Sequence, residues 1–110
     1  MPLQTIIHAN GPLPLTETFT PQADGPVVLI VTGTAWTTSP PGKIGYAVSL
    51  NGTVIGSATM FANINADHMT LPTLFVNVVI PSNQPQKIAI TAVGNTVTDL
   101  NDNFVVQLML

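Results

Sequence analysis

Apolar residues in this chain fall in short runs with Gly, Pro and Asn between them, and no stretch carries a helical period. Val27 to Val31, Leu74 to Ile80, Lys87 to Val93 and Phe104 to Leu110 are rich in β-branched residues and bounded by Gly, Pro or Asn, which predicts strands. Leu3 to His8, Leu15 to Phe19, Ile44 to Leu50 and Thr53 to Phe61 add four more, with turn signals roughly 8–12 residues apart, the spacing expected of sandwiches. Asn51-Gly52 tolerates the positive φ values of a type I′ turn, so it pairs the fourth strand with the fifth in a hairpin. The pattern predicts one all-β domain over 1–110, an antiparallel β-sandwich of about eight strands, jelly-roll-like rather than a barrel around a ligand cavity.

The alternation carries a second message. Phe104, Val106, Leu108 and Leu110 fall on one side of the last strand, yet Val105 and Met109 on the other side are also apolar. Leu74, Val76, Val78 and Ile80 likewise oppose Phe75, Asn77 and Val79. One face fills the sandwich, and the other needs a cover, supplied by a neighbouring subunit or by loops of the same chain. Composition favours the subunit: hydrophobic residues are 45% of the chain and charged residues 6%, against about a quarter charged in a typical soluble protein. A surface so short of charge resists self-association poorly, and a homo-oligomer, a small trimer or dimer, is expected.

Charge also excludes partners. With a net charge of −3 and Lys43 and Lys87 as the only cations, the chain cannot neutralise a row of phosphates, so nucleic acid and anionic membrane are not expected partners. No apolar run approaches the roughly 20 residues of a membrane helix, so membrane insertion is not expected. The segment Met1 to His8 has no basic region and no long apolar stretch, so no Sec signal is expected. The absence of Cys removes disulfides, thiolate metal sites and Cys nucleophiles, and leaves the compartment undetermined. The Asn51-Gly52-Thr53 sequon reads as a turn.

Chemistry concentrates before the last strand. Thr98-Asp99-Leu100-Asn101-Asp102-Asn103 offers carboxylate, amide and hydroxyl oxygens of the kind that hold Ca²⁺ in sets of six to eight, with Asp99, Asn101 and Asp102 as candidate metal ligands. The same residues also suit an Asx-turn loop whose side chains accept backbone N–H bonds and shape the start of the strand. Trp36, the only tryptophan, closes a strand and either plugs the end of the sandwich or offers an aromatic face to a sugar. His68 lies in a polar loop after the fifth strand, as a solvent-exposed or hydrogen-bonded histidine. If it meets Asp99 and Asp102 at one rim, the three form a polar pocket for a hydroxyl-rich ligand or a transition metal. Catalytic signatures are missing: no Gly-x-Ser-x-Gly elbow, no His-Glu-x-x-His pair, no phosphate-cradling loop, and Glu17 as the only glutamate. The expectation is a protein that is not an enzyme.

Three stretches, Ile7 to Asn10 leading to Asp24 through Val31 and Trp36, Leu74 to Asn83, and Asn95 to Gln107, give the chain a resemblance to the small bacterial calcium-dependent galactose-binding lectins. The resemblance implies that Asn95, Thr98, Asp99, Asn101 and Asp102 contribute to a Ca²⁺ site through which the ion grips sugar hydroxyls. A second resemblance, to the trimeric jelly-rolls of the complement C1q and tumour-necrosis-factor type, rests on the Phe-containing apolar strand at the C-terminus and implies assembly. The leading expectation is therefore a lectin-like carbohydrate-binding module with a rim of Trp36, His68, Asn95, Thr98, Asp99, Asn101 and Asp102. The alternative is a structural or assembly subunit in which the Asp99-to-Asn103 loop is only a turn.

Overall fold

A computed structural model describes residues 3–22, 24–81 and 83–110. Met1, Pro2 and Ser82, which the leader and lectin readings touch, lie outside the described residues, as does Ala23. Among those described the chain forms nine strands: β1 (Leu3–Asn10), β2 (Leu15–Phe19), β3 (Gly25–Ala35), β4 (Gly42–Leu50), β5 (Thr53–Ala62), β6 (Met69–Thr70), β7 (Leu74–Ile80), β8 (Gln86–Gly94) and β9 (Asn103–Met109). All eight expected strands are present. The ninth, β6, is a two-residue strand with no pattern of its own, made by pairing Thr70 with Thr34 and Met69 with Ala35.

The strands form two antiparallel sheets. In the first, β9 lies between β1 and β3, and the far edge of β3 is shared by β7 along Gly25 to Val31 and by β6 beyond it. The second runs β2–β8–β4–β5. Apart from the β4–β5 hairpin and the β6–β7 link, every connection passes from one sheet to the other, which is the jelly-roll way of closing a sandwich. In that hairpin Asn51 has φ 52 and Gly52 φ 88, as the turn requires. Asn51 is also tied to the neighbouring strand, its Nδ2 donating to Gln86 Oε1 at 2.7 Å and its Oδ1 accepting from the Lys87 N–H at 2.9 Å. The sequon is thus a built turn, as expected.

Alternation decides what lies between the sheets. Leu29 and Val31 of β3 and Phe104, Val106 and Leu108 of β9 meet Ile44, Tyr46 and Val48 of β4 and Ile88 and Ile90 of β8, all essentially inaccessible. Burying each such side chain contributes about 1.5–3 kcal/mol. The Tyr46 hydroxyl lies 2.9 Å from the carbonyls of both Val31 and Pro72, sharing one proton between β3 and the segment leading into β7. Burial pushes its phenol up to about 12. Phe104 packs directly over Gly33 on the adjacent strand, where a Cβ would collide with the ring.

Candidate functional site

One end of the sandwich gathers four segments: the end of β3, the loop between β5 and β6, the loop between β8 and β9, and the loop between β1 and β2. Trp36 continues β3 and pairs with Val97, its N–H donating to the Val97 carbonyl at 3.0 Å and its carbonyl accepting from the Val97 N–H at 2.8 Å. That bridge carries the loop from Asn95 to Asp102 along the end of the first sheet. The loop holding His68 is fixed on the other side, through the Ala66 N–H to the Thr37 carbonyl at 2.9 Å and through the pairing of β6 with β3.

Asp102 is the hub. It is fully buried, which for a carboxylate requires partners. Its Oδ1 accepts from the Thr34 hydroxyl at 2.9 Å and lies 2.8 Å from His68 Nδ1, and its Oδ2 accepts from the Asp99 N–H at 2.9 Å. Asp99 in turn accepts the Asn101 N–H through Oδ1 at 2.8 Å, while the Gly11 N–H donates to the Asp102 carbonyl at 2.8 Å. These bonds make the loop an Asx turn, with each carboxylate bonded to the loop's own backbone.

Above the hub the His68 ring is tilted against the indole of Trp36, with centroids 5.5 Å apart and planes at 38°. His68 Nε2 lies 3.9 Å from Asp99 Oδ2, too far for a hydrogen bond. The hydrogen bond to Asp102 holds the imidazole above its ordinary value of 6.5, desolvation acts the other way, and the negative fields of Asp102, Asp99 and Asp67 add to the rise.

Four of the residues expected at the rim therefore meet: Trp36, His68, Asp99 and Asp102. The other three go elsewhere. Thr98 spends its hydroxyl accepting the Leu13 N–H at 2.8 Å, so it fastens the β1–β2 loop. Asn101 is exposed at the tip of the turn. Asn95 sits in the turn just past β8, its N–H donating to the Lys43 carbonyl at 2.9 Å and its side chain lying against Gly42. Trp36 is half-buried, and its Nε1 is enclosed with no hydrogen-bond partner among the described residues. Thr34 and Gly11 belong to the site without any local sequence signal. Thr34 reaches Asp102 across 68 positions and also accepts the Asn103 N–H at 3.2 Å.

A second feature is the outer face of the first sheet. Phe75 and Val79 of β7 are 65% and 78% exposed, and Leu3 of β1 is 50% exposed. Their cross-strand partners Ile30, Pro26 and Met109 carry the apolar surface over β3 and β9. A shallow groove of about 280 Å³ on this face is lined by Pro26, Val27, Val28, Asn77 and Met109. Strands β1, β3, β6, β7 and β9 contain no Asp, Glu, Lys or Arg, whereas Glu17, Lys43 and Lys87 all sit on the second sheet. Among the described residues no helix is long and apolar enough to cross a membrane.

Compared with known protein families the chain matches none, and no curated protein matches it.

Proposed function

We propose that this protein is a non-enzymatic structural module that works as a homo-oligomer, its copies packed through the uncharged outer face of the first sheet. The observation that carries this reading is the exposure of Phe75 and Val79, 65% and 78%, on a sheet without a single charged residue. Interface cores are depleted of charge and enriched in aromatics and Met, and contiguous exposed apolar patches of this kind mark association sites. A groove of about 280 Å³ falls just short of the usual range of ligand pockets and suits side chains from a second copy. Sedimentation equilibrium of the purified chain tests this directly: a mass that is a small multiple of 11.5 kDa supports the proposal, and 11.5 kDa across the concentration range defeats it.

A carbohydrate-binding role is the second reading, favoured by one observation: Trp36 and His68 stack at 5.5 Å beside the Asp99 carboxylate. An aromatic face next to hydrogen-bonding groups suits a sugar, whose one side is apolar and whose edge is ringed with hydroxyls. Calcium would strengthen that grip, with the Asp99 carboxylate as its accessible oxygen donor at this group. Glycan-array binding that disappears in Trp36→Ala supports this reading, and an array without binding removes it.

A further inference from the structure

We infer that His68 Nε2 and Asp99 Oδ2 form the protein half of a binding site for a borderline divalent metal ion of the zinc type, with buried Asp102 orienting the imidazole from behind. The inference does not depend on how the chain assembles, nor on whether it binds sugar.

The ring is oriented first. A carboxylate oxygen accepts and does not donate, so the 2.8 Å contact between His68 Nδ1 and Asp102 Oδ1 places the proton of the neutral ring on Nδ1 and the lone pair on Nε2. Asp102 is itself immobile, because it is fully buried and held by the Thr34 hydroxyl and the Asp99 N–H. A carboxylate behind the imidazole is the usual outer partner of a metal-binding histidine; it fixes the tautomer and makes the ligand more basic.

The free atoms face each other. Nε2 and Asp99 Oδ2 are 3.9 Å apart, and neither has a hydrogen bond among the described residues. The indole N–H of Trp36 is not spent on either of them. An ion with bonds of about 2.1 Å to each atom bridges that separation at an open angle of roughly 135°, and closing by about half an ångström gives tetrahedral geometry. Solvent completes the shell, since both side chains are more than a third exposed, at 36% and 40%.

Charge points the same way. Among the described residues neither lysine pairs with Asp99 or Asp102, so two carboxylates stand beside one neutral imidazole, and a cation held between Nε2 and Asp99 supplies the missing positive charge. His68, Asp99 and Asp102 place their candidate ligand atoms within 4.8 Å of one another. A nitrogen donor with few oxygens favours zinc over calcium, which takes six to eight oxygens.

The test is isothermal titration of the metal-free protein with zinc chloride at pH 7.5, alongside His68→Ala, Asp99→Asn, Asp102→Asn and Asn101→Ala, each checked for its strand circular dichroism. One zinc per chain is expected, weakened at least tenfold by His68→Ala and by Asp99→Asn, about 10–100-fold by Asp102→Asn, and unchanged by Asn101→Ala. If Asp102→Asn fails to fold, ¹⁵N chemical shifts of the wild-type imidazole decide instead, because zinc must move Nε2 while Nδ1 keeps its proton. Zinc affinity untouched by His68→Ala, no saturable zinc binding up to millimolar concentration, or calcium binding without zinc binding would each overturn the inference.

Discussion

His68 Nδ1 and Asp102 Oδ1, 34 positions apart in the chain, lie 2.8 Å from each other, with the carboxylate wholly buried and the imidazole at the surface. The pair joins the β5–β6 loop to the start of β9. An imidazole held above 6.5 binds a proton more tightly in the folded chain than in the unfolded one. Its stabilising contribution is therefore complete below the unfolded value and is lost as pH rises through the folded one. In EDTA, the melting temperature is expected to fall as pH climbs from 6.5, and this part of the slope should vanish in His68→Ala. An NMR titration placing His68 at or below 6.5 would contradict the hydrogen-bonded geometry.

Removing the hub costs more than removing the ring. Asp102→Ala leaves the Thr34 hydroxyl and the Asp99 N–H without their acceptor in a dry site, and the expected loss is about 3 kcal/mol in chemical denaturation. A loss below about 0.5 kcal/mol, the range of ordinary surface substitutions, would show that the loop stands without it.

Gly11 faces the same turn. A Cβ at this position would sit 2.7 Å from the Asp99 carbonyl oxygen. Gly11→Ala is expected to destabilise by about 1–3 kcal/mol and to weaken zinc binding by displacing Asp99. Unchanged stability and zinc affinity would mean that the β1–β2 loop does not support the turn.

The buried phenol gives a separate alkaline signature. With Tyr46 pushed up to about 12 from 10.0, the folded chain holds its proton at pH values where the unfolded chain has lost it. Stability therefore falls with pH between those values. Tyr46→Phe should remove that dependence. At neutral pH it should cost about 1–3 kcal/mol, because the Val31 and Pro72 carbonyls lose their donor. Equal alkaline unfolding of the two proteins would contradict this.

What could be read from the sequence were the features encoded locally. Short β-branched runs bounded by Gly, Pro or Asn mark all eight longer strands, and alternation within β7 and β9 gives their inward and outward sides. Asn51-Gly52 named its own turn, and Asp and Asn at close spacing named the Asx turn. The site itself was only half legible, because its bonds are long-range. Thr34 looks like any strand threonine until β9 is placed beside β3, and β6 exists only because β3 offers it an edge. Asn95 and Thr98 sit close to Asp99 in sequence, but a backbone bond just past β8 ties Asn95 to Lys43, and the Thr98 hydroxyl is tied to the Leu13 N–H in the β1–β2 loop. The segregation of charge onto the second sheet was likewise hidden, since it depends on which strands share a sheet.

Assembly through the first sheet is tested most directly by sedimentation velocity on two matched charge insertions. Val79→Lys puts a cation on the uncharged face, and Val54→Lys, also at a highly exposed valine, puts one on β5 of the second sheet. The wild type and Val54→Lys are expected to sediment as the same small oligomer, with Val79→Lys shifted to a folded monomer. A wild type that sediments as a monomer, or an oligomer that Val79→Lys leaves intact while Val54→Lys disrupts it, would contradict the account.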